Sequence, residues 1–481
     1  MTASEAGVCR LGEFHPFQAG PRRFLYLVPA GAIFQLDDAA ALIIDLLSGG
    51  DRPLYQLASD LVERGMPRGE AREVIGELLS AGVLINGQQP SVAAETPPAV
   101  FPLQTLVLNL TNQCNLSCQY CYEFGADKVA TPEGKPKFMD FETGKASVDF
   151  LLKESAGRRT VHITFFGGET LMNFPLLKQV VAYASEQAKA QDRRIDFSLT
   201  TNATLLTPAI IEFLSENRIG VTVSMDGPKE MHDRLRVFAN GRGSYDIIEP
   251  KVRALVQNHR TRPITARVTL TSGVTEVVKI FRHLKQDLGF HEVGFAPVTT
   301  SPNQLYAINN HGMDRVLEQF HFLAEEYLAY ALRGEMHGFT NVSDTLAELH
   351  QGVNKSHPCG AGLGLMGIGP SGDIAPCHRF VDSDTHALGH ISKGIDRDKQ
   401  AGFLRRGHIG SKYDCHTCWA RPLCAGGCHH EAFVRYGDTG HPNLHYCDWI
   451  RDWTGTCLRI YGAISASNPD FLERFAERRA S

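Results

Sequence analysis

Leu110-Thr111-Asn112-Gln113-Cys114-Asn115-Leu116-Ser117-Cys118-Gln119-Tyr120-Cys121 follows the short apolar run Leu106 to Leu110 and sets three cysteines at C-x3-C-x2-C spacing. Three thiolates hold three irons of a 4Fe-4S cluster and leave the fourth iron without a protein ligand. A cluster built for electron transfer alone normally has four cysteine corners, so a triad that stops at three keeps one corner for an exchangeable ligand. A zinc knuckle is the competing reading, but structural zinc wants a closed set of four ligands. No histidine or further cysteine follows within the next several residues to complete it. Three unrelated core cysteines would not explain the spacing, the flanking strand and the downstream glycines together.

Outward from this motif, 481 residues are enough for roughly three domains. Hydrophobic residues at 43% and charged residues at 21% are ordinary for a globular chain. A formal charge of -5 leaves no electrostatic footprint for nucleic acid or an anionic membrane. Met1 to Gly20 contains no apolar segment behind a basic start, and no run of eighteen apolar residues occurs, so a cytoplasmic protein is expected. Twelve cysteines in a reducing compartment point to metal or cluster ligands rather than disulfides. Ten of the twelve fall in two groups, at 114 to 121 and at 359 to 447.

Residues 1–88 read as a small α+β module. Arg23 to Val28 and Ala32 to Leu36 are strands around Pro29-Ala30-Gly31, Asp37-Asp38 caps a helix over Ala39 to Leu47, and helices over Pro53 to Arg64 and Pro67 to Ala81 precede Val83-Leu84-Ile85. This order resembles the winged-helix peptide-recognition domains of peptide-modifying enzymes, which add a leader segment as an extra strand. A DNA-binding winged helix would need a basic helix face, which is missing. Residues 89–102, rich in Pro, Ala and Gln, read as a linker.

From 103 to 310 strands and helices alternate. Leu106 to Leu110, Val161 to Phe166, Ile195 to Thr200, Gly220 to Ser224, Thr265 to Thr271 and Val293 to Pro297 are the expected strands, with helices such as Phe141 to Lys153 and Pro175 to Lys189 between them. Repeated βα units predict a parallel sheet that carries its chemistry at the C-terminal strand ends. The motifs fall there: Cys114 after the first strand, Gly167-Gly168-Glu169 after the second, Thr201-Asn202 after the third and Met225-Asp226-Gly227 after the fourth. Residues 311–355 form a helical bridge, and 356–481 is expected to be loop-rich and cross-linked by clusters.

These residues resemble the radical S-adenosylmethionine (SAM) enzymes with a C-terminal SPASM domain. The resemblance implies an α/β fold: a partial (β/α)6 radical SAM barrel, an N-terminal winged-helix-like α+β domain and a C-terminal loop-rich SPASM iron-sulfur domain. It implies that Cys114, Cys118 and Cys121 hold the cluster whose open iron is chelated by SAM. Reduction then cleaves SAM to a 5'-deoxyadenosyl radical. In Phe165-Phe166-Gly167-Gly168-Glu169 two glycines allow close backbone approach, and Glu169 matches the contact with the SAM amino group. Tyr120 matches a position whose backbone contacts adenine. Ser224 and Arg236 match the residues that hold the SAM carboxylate and ribose, a task that suits the planar fork of arginine. Asn202 and Val298 are further candidates for the SAM site.

The second group runs Cys359, Gly372, Cys377, then Cys415-x2-Cys418-x5-Cys424-x3-Cys428, and Cys447. Seven cysteines exceed what one zinc needs, and the order resembles the SPASM pattern. The resemblance assigns Cys415, Cys418, Cys424 and Cys447 to one auxiliary 4Fe-4S cluster and Cys359, Cys377 and Cys428 to another, three clusters in all. The last set lacks the upstream cysteine of sulfatase-maturing relatives, leaving its fourth position open or filled by Cys457 or His357. His378 stands where those relatives carry an aspartate as proposed base. His378 and Asp414 are therefore the candidate catalytic bases, with Asp438 as a further alternative; Cys9 reads as a plain thiol.

The layout resembles maturases of ribosomally made peptides. Within them, Cys121-Tyr122-Glu123-Phe124-Gly125-Ala126-Asp127, Lys135-Pro136-Lys137-Phe138-Met139 and Arg22-Arg23-Phe24-Leu25-Tyr26-Leu27-Val28-Pro29 resemble the family that matures quinohemoprotein amine dehydrogenase by joining Cys sulfur to Asp or Glu methylene carbons. The implied partners are a peptide or small protein substrate and an electron donor such as flavodoxin or ferredoxin. Anaerobic sulfatase maturation, a different thioether or carbon-carbon cross-link, and a non-enzymatic iron-sulfur redox sensor remain the alternatives.

Overall fold

The structure, a computed structural model, describes residues 7–87 and 101–476; most of the expected linker at 89–102 lies outside them. The N-terminal region contains β1 (Val8–Leu11), β2 (Phe14–Ala19), β3 (Arg22–Leu27), β4 (Ala32–Gln35), α1 (Asp38–Leu47), β5 (Arg52–Pro53), α2 (Leu54–Glu63), α3 (Arg68–Ala81) and β6 (Leu84–Asn86). Asp37 caps α1 as its sequence predicts, its Oδ1 accepting from Ala40 N at 2.7 Å. Three strands, β1, β2 and the two-residue β5, were not expected. They split the region into two antiparallel sheets, β5-β1-β6 and β2-β3-β4.

The central region comprises β7 (Thr105–Asn109), α4 (Phe141–Glu154), β8 (Thr160–Phe166), α5 (Phe174–Ala190), β9 (Arg194–Thr201), α6 (Pro208–Glu216), β10 (Gly220–Ser224), α7 (Lys229–His232), α8 (Tyr245–Asn258), β11 (Ile264–Leu270), α9 (Val277–Arg282) and β12 (Glu292–Pro297). All six strands are parallel and neighbours in sequence order, β7 to β12. A parallel sheet buried on both faces reads as continuous apolar runs, yet β8, β10 and β11 alternate. Val161, Ile163 and Phe165 of β8, and Val221 and Val223 of β10, are buried, whereas Phe166, Thr222 and Ser224 line a cavity. The sheet is thus packed by helices on one face and hollow on the other.

The helical bridge forms α10 (Asn310–Leu332) and α11 (Thr340–His350). Beyond it come β13 (Leu365–Ile368), β14 (Asp373–Ala375), β15 (Gly389–His390), β16 (Gly394–Ile395), α12 (Arg397–Gly407), α13 (Arg421–Cys424), α14 (His429–Tyr436) and α15 (Cys447–Ser467). Two features correct the expectation of a loop-rich tail. First, β13 pairs in parallel with β7, Met366 opposite Leu106, so the tail extends the central sheet. Second, α15 is a 21-residue helix whose Trp453, Cys457, Leu458, Ile460 and Ile464 join the main hydrophobic core. Phe320 of α10 packs edge-on against Trp449 at 5.4 Å and Trp453 at 5.1 Å.

The N-terminal sheet shares this core. Phe17, Ala19, Phe24 and Tyr26 belong to it, and His15 stacks on Trp419 at 3.7 Å. Arg421 pairs with Glu13, and Asn354 donates to Pro29 O at 2.6 Å. The β2-β3 hairpin is therefore fastened to the C-terminal region. Among the described residues no helix is long and apolar enough to cross a membrane.

A Cβ at position 462 would meet Ala19 Cβ at 3.0 Å and Phe17 Cε2 at 3.1 Å, so α15 and the hairpin touch through a bare glycine. Gly462→Val is expected to lower stability by about 1–3 kcal/mol through overpacking, read as a lower midpoint in chemical denaturation; an unchanged midpoint would mean the hairpin is not seated there.

Candidate active site

The triad loop leaves β7 and is held by backbone bonds on three sides. Leu110 N donates to Phe166 O at 2.9 Å, Ser117 N to Val237 O at 2.7 Å and Glu169 N to Gln113 O at 2.9 Å. Gly167, at φ +97°, and Gly168 make the last approach possible. A Cβ at 167 would lie 2.3 Å from Thr111 O, and one at 168 would lie 1.9 Å from Gln113 O. Both glycines line the cavity, and they also admit the triad loop at close range.

Cys114, Cys118 and Cys121 open together onto one cavity of about 660 Å³, within the ordinary size for a small-molecule site. Tyr120, Gly167, Gly168, Asn202, Ser224, Arg236, Val298 and His378 line the same cavity. Burial pushes the Cys114 and Cys121 thiols up to about 12 and raises Cys118. Thiols so displaced become good ligands only when a metal takes the proton's place, and three soft sulfurs suit iron-sulfur chemistry. Leu116 N at 3.4 Å and Asn202 Nδ2 at 3.8 Å donate to Cys114 Sγ, bonds of the kind that tune a cluster. The residues thus fit a cluster with an open corner and a polar ligand beside it. Among the described residues no three His, Cys, Asp or Glu side chains form a site for a single metal ion.

Glu169 follows the two glycines at the end of β8. It is 1% exposed and is absent from the residues that line the cavity. Its carboxylate accepts from Leu171 N at 3.0 Å, Thr201 Oγ1 at 2.6 Å and Asn202 N at 2.7 Å. Burial raises its pKa, and these donors oppose the rise. Through these bonds Glu169 fixes the β9 end. Asn202 in turn donates to Asn115 Oδ1 at 3.0 Å, which ties β9 to the triad loop.

Asp226, which the sequence reading placed at a strand end, has a role that reading did not assign. At 1% exposure, it accepts from the Tyr120 hydroxyl, from Arg236 Nε at 2.8 Å and from Thr269 N at 2.9 Å. Arg236 lies over the Tyr120 ring at 5.3 Å and donates toward Cys118. Burial alone would lower the Arg236 pKa, but Asp226, Tyr120 and Cys118 more than reverse it. Arg236 therefore reaches the cavity already ion-paired, an addition to its expected task of holding a SAM carboxylate. The available signal was position: Asp226 stands two residues past the C-terminal end of β10, where sheet ligand sites concentrate.

The downstream cysteines also gather. Cys415, Cys418, Cys424, Cys428 and Cys447 line a second cavity of about 220 Å³. Burial raises Cys359 and pushes Cys377 up to about 12, and the charge of Cys428 raises both further. Lys412, 2% exposed, lies close to both sets: burial lowers its pKa, while Cys415, Cys424, Cys359 and Cys428 act in the opposite sense. It donates to Ala425 O at 2.9 Å.

The structure places four further candidates. Cys457 is fully buried in the α15 core, so it does not close the Cys359 set. The ring nitrogens of His357 are engaged with Ser356 Oγ at 3.0 Å and Leu404 O at 2.9 Å. Asp414 is exposed and lines the second cavity, not the first, so it cannot reach a substrate at the triad. His378 does line the first, its ring 4.6 Å from Phe166, but burial and Arg379 push it down to about 3.

Asp226→Asn would leave Arg236 buried without its counter-charge. The expected loss is about 3–5 kcal/mol of folding stability, measured by urea denaturation; wild-type stability would contradict a buried ion pair.

Comparison with known proteins agrees with this geometry. A serine-type anaerobic sulfatase-maturating enzyme of Bacteroides thetaiotaomicron is 28% identical over 373 residues, 73% of this chain and 87% of the relative. A 142-residue stretch is 37% identical to uncharacterized protein MJ0907 of Methanocaldococcus jannaschii, covering 30% of this chain and 45% of that one, less than half of its length. The structure of histidine-tagged anSMEcpe with bound AdoMet shares the fold, with a TM-score of 0.64 and 21% identity over 76% of this chain and 99% of that one. Residues 108–284 match the Radical SAM superfamily, and the hollow sheet with its three-cysteine loop is a radical SAM domain.

Proposed function

We propose that this chain is a radical SAM maturase that forms thioether cross-links within a small protein or peptide, joining Cys sulfur to a side-chain methylene carbon of Asp or Glu as in quinohemoprotein amine dehydrogenase maturation. One observation carries the reading. His378 and Arg379, directly after Cys377, stand in the wall of the cavity onto which Cys114, Cys118 and Cys121 open. The second cysteine group therefore begins where the first site ends.

Cys114, Cys118 and Cys121 would hold the cluster, and SAM bound beside Asn202 and Arg236 would supply radical chemistry to the site. Forming C-S from C-H and S-H removes two hydrogens; one leaves as a hydrogen atom on 5'-deoxyadenosine, and the other leaves as a proton and an electron. Cys359, Cys377 and Cys428 are the residues to hold a group that takes this electron. Asp226 fixes Arg236 and Tyr120 beside Cys118, and Glu169 fixes Asn202 beside Cys114. Tyr122, Phe124 and Phe166 give the cavity apolar wall that excludes water. For the peptide, β4 is an edge strand with Phe34 exposed, open to strand addition.

Anaerobic sulfatase maturation is the second reading, favoured by the name of the 28% identical relative and opposed by His378 in place of the aspartate of that family. Reduced, reconstituted protein with SAM is expected to form 5'-deoxyadenosine, and Cys114→Ala to abolish it; no formation by the wild type overturns an enzymatic reading. A co-expressed Cys- and Asp/Glu-rich peptide should lose two hydrogens per cross-link and resist thiol alkylation. An aldehyde that reacts with a hydrazide would support formylglycine formation instead.

A further inference from the structure

The cavity holds two arginines that neither the triad nor the Asp226 cluster uses. Arg267 stands mid-strand on β11, whose inward face is Thr265, Arg267 and Thr269. In the sheet register it is level with Ser224 on β10 and Gly294 on β12. Gly294 leaves the space that the guanidinium crosses: a Cβ there would lie 3.4 Å from Arg267 Nη1. Arg379 enters the same cavity from the C-terminal region, its guanidinium 4.8 Å over the Tyr122 ring.

Among the described residues, neither guanidinium donates a hydrogen bond or has a carboxylate within 4.0 Å. Asp344, on the same wall, acts on Arg267 only at longer range, and the two arginines repel one another. Arginine carries five N–H donors and cannot shed its charge at neutral pH. The wall also carries Glu123, Glu292 and Asp344, and Cys428, Cys377 and Glu431 act favourably on Arg379 from a distance, but two guanidinium forks without a paired carboxylate in one cavity are an arrangement that a bound anion stabilises. Their planar forks match a carboxylate.

We infer that Arg267 and Arg379 form a carboxylate site in the substrate half of the cavity, and that its ligand is the acidic side chain of the peptide. One arginine comes from the central sheet and the other from the segment after Cys377, so an acid held between them lies between the two cysteine groups. The assignment of the acid to a peptide rests on the maturase reading. SAM also carries a carboxylate, and the test separates the two sources.

The experiment uses reconstituted, SAM-loaded holoprotein and two small probes, N-acetyl-glutamate amide and its neutral isostere N-acetyl-glutamine amide, with binding measured by titration calorimetry or ligand-observed NMR. The glutamate probe is expected to bind about tenfold more tightly than the glutamine probe, as for hydrogen bonds to a charged group. Arg379→Gln and Arg267→Gln should each erase that preference, and Arg267→Lys should restore part of it, with SAM affinity kept in all three. Equal binding of the two probes to wild type overturns the proposal, and this arm needs no variant to fold. Loss of SAM affinity with the glutamate preference retained also overturns it, placing the methionine carboxylate of SAM on the arginines. Failure to form 5'-deoxyadenosine would sink the maturase reading while leaving the probe result standing.

Discussion

The approach of the Gly167-Gly168 turn to the carbonyls of Thr111 and Gln113 is the constraint on which the rest depends. No side chain fits at position 168, where a Cβ would lie 1.9 Å from Gln113 O. Because the β8 end can press against the loop, the loop is held over the hollow face of the sheet and its three thiols point into the cavity. The charges then follow. Glu169, next in the chain, is carried behind the wall and fixes Asn202, and Asn202 reaches Asn115 and Cys114.

Buried charge in this site is mostly internal bracing. Asp226 gathers Tyr120, Arg236 and the backbone of β11, so the ends of β10 and β11 are tied to the loop. The C-terminal region is braced to the same loop from the other side. Lys135 pairs with Asp384 at 2.7 Å, Thr131 N donates to Asp382 O at 2.8 Å and Arg379 covers Tyr122. Lys412 places one cation beside cysteines of both downstream sets. Breaking the buried Asp226–Arg236 pair costs more than the pair contributes, since a lone buried charge remains. The arrangement favours a fixed geometry between the cysteine groups.

β8, β10 and β11 were legible because a sheet with one hollow face keeps an apolar alternation, and each of the six central strands falls within a residue or so of its expectation. The triad and its neighbours at the strand ends were legible for the same reason. β2 was not, because Pro16 sits in its middle; proline is tolerated there since β2 is an edge strand paired only with β3. α15 was obscured by its cysteines, glycine and tryptophans, although Trp453, Cys457, Ile460 and Ile464 keep helical spacing. The roles of Gly168, Glu169, Asp226 and Arg267 depend on partners far away in the chain, which local pattern does not report.

The central claim is that the triad cluster keeps one corner for SAM. Electron-nuclear double resonance on the reduced, reconstituted protein with SAM labelled by 15N at the amino group and 17O at the carboxylate tests it most directly. The account predicts hyperfine coupling from both labels to the triad cluster. Neither coupling, with a spectrum unchanged by SAM, would show a closed cluster and contradict the account.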